Sequence, residues 1–442
     1  MEQMLHYVWK HRIFPLQKLV TVDGRELEVL HPGIQNRDAG PDFTGAKVVI
    51  DGVVWVGNVE IHERTSDWFR HHHDEDERYD NIILHVAGIV DCDLHYRMGS
   101  GDTKVPQLEL KVPEYVMANY EDLLRADHEP RCADIIPSFS SISLHSWMAA
   151  LEVERLQMRT EQIEERRRML NLNWEDTLFV TIARSFGFGH NGDVFERWAH
   201  SIPMGAAAKH RDSLFQIEAL FFGQAGLLES TECRGGNAEE SEDPYFRQLQ
   251  TEYRFLRQKF SLTPINGAEW KLLRMRPQQF PHIKIAQLAV MYCEQKVSLS
   301  ALVNADDIQA MMQMLTTRVS DYWRTHYTFR KEHAQASSKA LSVGAKRLVL
   351  LNCVAPMLFA YGRYKGDEAM CERALMIWEQ LPAEDNRVIR HFVAAGIVPE
   401  CAADTQALMQ LNANYCERHD CLRCRMGEEF VRRTPGFLRE ER

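Results

Sequence analysis

The chain has 442 residues, a formal net charge of −11, 45% hydrophobic residues and 10% aromatic residues. That apolar content supplies a sizeable core and excludes a disordered chain. The length suggests two or three domains. The acidic total excludes a wholesale nucleic-acid coat, so any such binding needs a local basic patch.

The opening MEQMLHYVWKHRIF has no continuous apolar segment and no small-residue cleavage site, so no signal peptide is expected. No stretch reads as eighteen uncharged apolar residues, and the nearest, 348–361, is too short to span a bilayer. The expectation is a cytoplasmic protein with no membrane partner. Ten cysteines in a chain this long do not form a dense disulfide scaffold. Cys92, Cys132, Cys233, Cys293, Cys353, Cys371 and Cys401 stand singly and read as small buried hydrophobes, whereas Cys416, Cys421 and Cys424 cluster.

In chain order, Met4 to Phe14 reads as a short helix, with Leu5, Val8, Trp9 and Ile13 at near-helical spacing. Two Asp-Gly dipeptides, at 23–24 and 51–52, lie between β-branched runs and predict hairpins. A polar, His-rich stretch runs from Glu63 to Asp80. Asn81 to Val90 is almost continuously apolar, as in a strand buried on both faces. Val105 to Val112 adds a further strand, with Pro106 at its start or on an edge. A composition shift at 127–142 marks a boundary. Beyond it the chain turns helical, starting with a long charged helix at 151–170. Further blocks follow near 174–187, 191–201, 211–228, 243–260, 283–296, 305–329, 339–361, 367–380, 386–395 and 404–417, punctuated by prolines. Cys233 to Asp243 reads as a loop. The fold class is α+β: an N-terminal mixed sheet (1–135), a large all-α domain (143–400) and a C-terminal cysteine-containing helical tail (401–442). No fixed-period repeat supports a solenoid.

The chemistry concentrates around Asp42, Glu60 and His62. Asn36 to Phe43 is a loop leading into a strand, and Glu60 and His62 alternate along the next one, so both point to one face. The hairpin between them brings Asp42 beside that pair. Two carboxylates and an imidazole at a sheet end suit Mg²⁺ or Mn²⁺ and phosphodiester hydrolysis. A capping role for Asp42 and an ion pair for Glu60 are the plainer readings.

Pro41-Asp42 on one strand and Glu60-x-His62 on the next resemble the PD-(D/E)xK nuclease core. There the third element is a lysine that orients the attacking water. The resemblance implies that His62 takes that role as a base, or that Lys47 on the neighbouring strand does. A second resemblance spans nearly the whole chain: Gly40-Pro41-Asp42-Phe43, Trp55 to His62, Ser66-Asp67-Trp68, Ile83 to Val86, Ser185 to Phe188, Glu218-Ala219-Leu220, Phe222 to Gly226, Arg274 to Pro277, Tyr322-Trp323 and Cys421-Leu422-Arg423-Cys424. By these the chain is identified as a member of an uncharacterised bacterial family, domain of unknown function 2851, which implies no activity.

His71 and His73, with Asp76, could ligate Zn²⁺; the dense acidic run around them equally suits a solvated loop. His85, inside an apolar strand, reads either as a site residue facing Glu60 or as a satisfied core histidine. Cys416-x4-Cys421-x2-Cys424 could hold Zn²⁺ or an iron–sulfur cluster, given a fourth ligand from Cys401, Cys371 or His419; structural thiols are the alternative. Some PD-(D/E)xK nucleases clip their ends with such a four-cysteine cluster. Lys271, Arg274, Arg276 and Lys284 surround Trp270 and Phe280. Arg318, Arg324, His326, Arg330 and Lys331 surround Trp323. Either group could grip nucleic-acid phosphates, although aromatics at helical spacing are usually core. Residues 185–191 and 223–226 read as helix caps, because neither fits a phosphate-binding loop, and no Gly-x-Ser-x-Gly elbow is present. The expected function is a divalent-metal-dependent nuclease. The alternatives are a catalytically inactive nucleic-acid or protein-binding module and a zinc-stapled scaffold. The oligomeric state is left open.

Overall fold

The computed structural model describes residues 1–14, 18–36, 39–98, 101–171, 173–229, 243–329, 332–333 and 335–433. Arg330, Lys331, Cys233 and nearly all of the 233–243 loop lie outside them. The chain forms two compact units. One comprises Met1–Phe139, Ala394–Ile397 and Leu411–Arg442; the other comprises Ser140–Val393 and Val398–Gln410.

The first unit is built on a mixed sheet whose path runs β1 (Leu19–Val20), β2 (Glu26–His31), β4 (Phe43–Ile50), β5 (Val53–Arg64), β6 (Ile82–Ile89), β9 (Gln107–Glu109), with β3 (Ile34–Gln35) beside β4. Turn chemistry sets its first half. At the β4–β5 turn both Asp51 (φ 49°) and Gly52 (φ 79°) are left-handed, the conformation a two-residue hairpin requires. The turn fixes the antiparallel register of Ile50 opposite Val53, through to Phe43 opposite Val59. From β5 onward the sheet turns parallel, and β6 is buried on both faces over its first six residues, as its apolar run predicts. The parallel crossover from β5 to β6 consists of α2 (Asp67–Arg70) and two 3-10 turns, so the His-rich stretch is ordered structure tied to the sheet. A small hairpin, β7 (His95–Met98) with β8 (Gly101–Lys104), is joined by Gly99-Ser100, a dipeptide of the two-residue hairpin type that lies outside the described residues. Helix α1 (Glu2–Lys10) buries Leu5, Val8 and Trp9, and a Cβ on Gly88 of β6 would lie 3.2 Å from Leu5 Cδ1.

The predicted tail at 401–442 does not stand alone. From Leu411 it belongs to the first unit, while Val398–Gln410 belongs to the helical one. The cause is an amphipathic helix, Arg425–Arg432, which buries Met426, Gly427 and Val431 and packs on α3 (Glu114–Arg125). Asn119 Nδ2 donates to the carbonyls of Val431 (3.1 Å) and Arg433 (2.7 Å), and the Tyr7 hydroxyl donates to that of Glu428 (2.8 Å).

The second unit is helical around a core that includes Trp198, Phe221, Phe222, Trp323 and Trp378. Its first helix, α4 (Ser141–Met169), starts ten residues earlier than its charge pattern predicts. Ser140 caps it by accepting from the Ser143 N–H. Asn173 caps α5 (Trp174–Phe186) by accepting from the N–H groups of Glu175 and Asp176. We predict that Asn173→Ala costs about 1 kcal/mol, read as a lowered urea midpoint. The expected 305–329 helix is interrupted. Ile308–Met314 and Asp321–Thr325 flank a non-helical stretch in which Thr317 is buried and donates to the Gln287 carbonyl (3.1 Å).

Pro356 does not end its helix. A π turn at Leu350–Val354 precedes the proline and absorbs the interruption. The continuous helix Val343–Lys365 is the one described segment long and apolar enough to cross a membrane, contrary to the reading of 348–361 as too short. Of its apolar window 67% is buried in this core, where Trp378 Nε1 donates to the Leu351 carbonyl.

Candidate functional site

Pairing of β4 with β5 places Asp42, at the start of one strand, beside Glu60 in the middle of the other. Their carboxylates are exchanged against backbone. Glu60 Oε2 accepts from the Asp42 N–H, and Asp42 Oδ2 accepts from the Ile61 N–H, each at 2.9 Å. This reciprocal brace uses one oxygen of each group, so both carboxylates help set the strand geometry. Glu60 is 4% exposed, and burial pushes its carboxyl above the ordinary range.

Glu60 and His62 share a face, with His62 Nε2 3.7 Å from Glu60 Oε1. The β5–β6 crossover then brings in the His-rich stretch. His71 closes α2 and His73 opens the next 3-10 turn; His72 between them is left-handed at φ 59°. His71 Nδ1 lies 3.3 Å from His62 Nε2, and His73 Nε2 lies 3.3 Å from Glu60 Oε1. One ring nitrogen from each of His62, His71 and His73 falls within 4.8 Å of the other two, close enough to share a metal ion.

His85 packs against His62 from behind this group, because parallel pairing sets it opposite Glu60. Its Nε2 lies 2.9 Å from His62 Nδ1, and its own Nδ1 is buried without a hydrogen-bond partner among the described residues. In the tautomer where His62 Nδ1–H donates to His85, His62 Nε2 is left as a lone pair facing His71. Burial, reinforced by the other imidazoles, pushes His62 down to about 2; burial likewise pushes His85 down to about 4. Both are therefore neutral at physiological pH, the form that binds metals.

Three supporting residues have no obvious sequence signal. His6 on α1 lies 3.2 Å from Asp42 Oδ2; burial works against its charge, but Asp42 outweighs that and holds its pKa above the ordinary value. Trp68, fully buried, presents its ring to His62, His73 and His85, and Tyr79 stacks on His73 at 4.0 Å.

Other expected members lie elsewhere. Lys47 is exposed on β4 opposite Val56, four residues along the strand from Phe43, or roughly 13 Å. It is too far to orient a water at Glu60. Asp76 is engaged by Arg78. A centre of three imidazoles suits a transition metal such as Zn²⁺ or Mn²⁺; Mg²⁺ prefers an all-oxygen shell and does not fit this donor set.

In the helical unit, Lys271, Arg274, Arg276 and Arg324 are exposed, and Arg324 lies 3.7 Å from Asp321. Their tryptophan neighbours are not stacking platforms. Trp270 is buried with Nε1 donating to the Ala225 carbonyl, Trp323 is fully buried, and Lys284 is itself buried over the Phe188 ring. Cys401 Sγ approaches Asp404 Oδ2 (3.6 Å) and Cys371 Sγ the Phe359 carbonyl (3.7 Å), both in this unit. Cys416, Cys421 and Cys424 belong to the first unit.

The sequence matches, over residues 2–387, the family described as "Protein of unknown function (DUF2851)". No curated protein and no solved structure matches it.

Proposed function

We propose, from the premise that the chain belongs to the DUF2851 family, that its first unit is a metal-dependent phosphodiester hydrolase acting on nucleic acid. The observation that carries this reading is the convergence of His62, His71 and His73 within 4.8 Å, beside Glu60. These three imidazoles would hold a divalent transition metal. Such an ion supplies a Lewis acid and a water of lowered pKa. Glu60 Oε1, on the cluster's rim and 3.3 Å from His73 Nε2, takes the proton from the attacking water. Asp42 and His6 keep the β4–β5 junction rigid. The phosphodiester class is supported by position: Pro41-Asp42 starts one strand and Glu60-x-His62 occupies the next, as in the PD-(D/E)xK core. In the helical unit, the exposed Lys271, Arg274, Arg276 and Arg324 are cations of the kind that contact nucleic-acid phosphates.

The test is direct. Protein stripped of metal and reloaded with Zn²⁺ or Mn²⁺ is incubated with single- and double-stranded DNA and RNA. Cleavage is expected with these ions, little with Mg²⁺ alone, and none in EDTA. Metal-loaded protein that cuts none of the four substrates sinks the hydrolase reading. One observation favours a second reading: both carboxylates already accept backbone N–H groups. A non-catalytic nucleic-acid-binding module would then show a gel shift without cleavage.

A further inference from the structure

We infer that Cys132, Cys416, Cys421 and Cys424 together hold an iron–sulfur cluster. Cys132 reads from sequence as a lone buried hydrophobe. The structure brings it to the recess where the other three meet, lined also by Arg131, Tyr415 and Gly427. None of the four is in a disulfide. Each sits at an irregular point of the backbone, free of the constraints of a regular helix. Cys132 precedes a 3-10 turn (Ala133–Ser138), and Cys416 ends a π turn (Asn412–Cys416). Cys421 opens another 3-10 turn, and Cys424 caps the helix Arg425–Arg432.

The loop is shaped for close approach. A Cβ on Gly427 would lie 2.1 Å from the Cys421 carbonyl oxygen, so only glycine lets the first turn of the C-terminal helix press against that segment. The Cys421 carbonyl accepts from the Cys424 N–H (3.2 Å), closing the Cys-x2-Cys turn. The sequence candidates for a fourth ligand do not line the recess. Cys371 and Cys401 lie in the helical unit with their own partners, and His419 Nε2 lies 3.4 Å from Arg131 Nη2.

The Cys-x4-Cys-x2-Cys spacing plus one distant cysteine is a cluster-binding pattern. Three of the four cysteines lie beyond the residues that match the family. The cluster would clamp the C-terminal segment onto the first unit.

This inference stands apart from the hydrolase reading, because its ligands are not those of the histidine centre. The full chain, purified anaerobically, is expected to contain iron and acid-labile sulfide in equal amounts and to absorb broadly in the visible. Cys132→Ser should lose most of both, whereas Cys371→Ser and Cys401→Ser keep them, as does His62→Ala. Should Cys132→Ser fail to fold, alkylation of the wild-type protein decides. Cys132, Cys416, Cys421 and Cys424 should be protected together and become reactive together once the cluster is stripped. Stoichiometric zinc at these cysteines, full iron retained in Cys132→Ser, or a wild-type protein that takes up no cluster from Fe²⁺ and sulfide would each overturn it.

Discussion

A Glu60→Gln protein is expected to keep its metal and to lose cleavage by roughly 10²–10⁴-fold, the usual contribution of a positioned general base. The substitution separates the two jobs of this side chain. The amide oxygen can still accept the Asp42 N–H, so the brace between β4 and β5 survives. The oxygen facing His73 and His62 becomes an NH₂ that cannot take a proton from water. Metal content and turnover should therefore part company. Unchanged turnover would remove Glu60 from the chemistry, and joint loss of metal and turnover would make it a ligand. His85→Ala is the companion experiment. His85 does not belong to the three-imidazole group; it fixes the ring that does, through the 2.9 Å contact to His62 Nδ1. Removing such a partner lowers metal affinity by about 10–100-fold. Competition with a chelator, run on protein shown to be folded by circular dichroism, reads this. An affinity equal to the wild type would show that His62 is held by packing against Trp68 instead.

What could be read from the chain follows the range of the forces involved. The hairpin turns at 23–24 and 51–52 and the strand at 82–89 were legible because turn chemistry and apolar runs are local. So was the meeting of Asp42 with Glu60, since it needs only one hairpin register. His71 and His73 were ambiguous because the acidic residues between His73 and Asp80 dominate the composition. Only the crossover from β5 to β6, with its left-handed His72, folds these imidazoles back over His62. His6 and Cys132 gave no signal at all. Each reaches its partners through tertiary packing of α1 and of the C-terminal helix, and no periodicity encodes that. The same limit explains Lys47: alternation sets its face, but the length of β4 sets its distance. The basic-aromatic groups failed in part for the opposite reason. Trp270 and Trp323 at helical spacing are core, while the cations beside them point outward.

The largest stability effect away from the candidate site is expected at Glu218. It lies on the helix Leu214–Gln224, 1% exposed, in the Glu218-Ala219-Leu220 segment. Its carboxyl receives hydrogen bonds from Ser320 (2.8 Å) and from Tyr245, whose ring stacks on Tyr322 at 4.2 Å. Burial pushes its pKa from 4.5 up to about 7, and the two hydrogen bonds oppose the rise without cancelling it. Between these values the folded chain holds a proton that the unfolded chain has released. Stability from this group is therefore fully present below pH 4.5 and is lost as pH rises through about 7. The interval corresponds to roughly 3 kcal/mol, at about 1.4 kcal/mol per pH unit. Glu218→Gln removes the titration and reproduces the protonated carboxyl: its oxygen accepts from one of the two hydroxyls and its NH₂ donates to the other. Its urea unfolding free energy should match the wild type near pH 4.5 and exceed it by up to about 3 kcal/mol at pH 8. A variant that is less stable than the wild type at pH 8, or that keeps the full pH slope, would show that the folded protein carries Glu218 ionised. The two hydroxyl donors would then outweigh the cost of burying the charge.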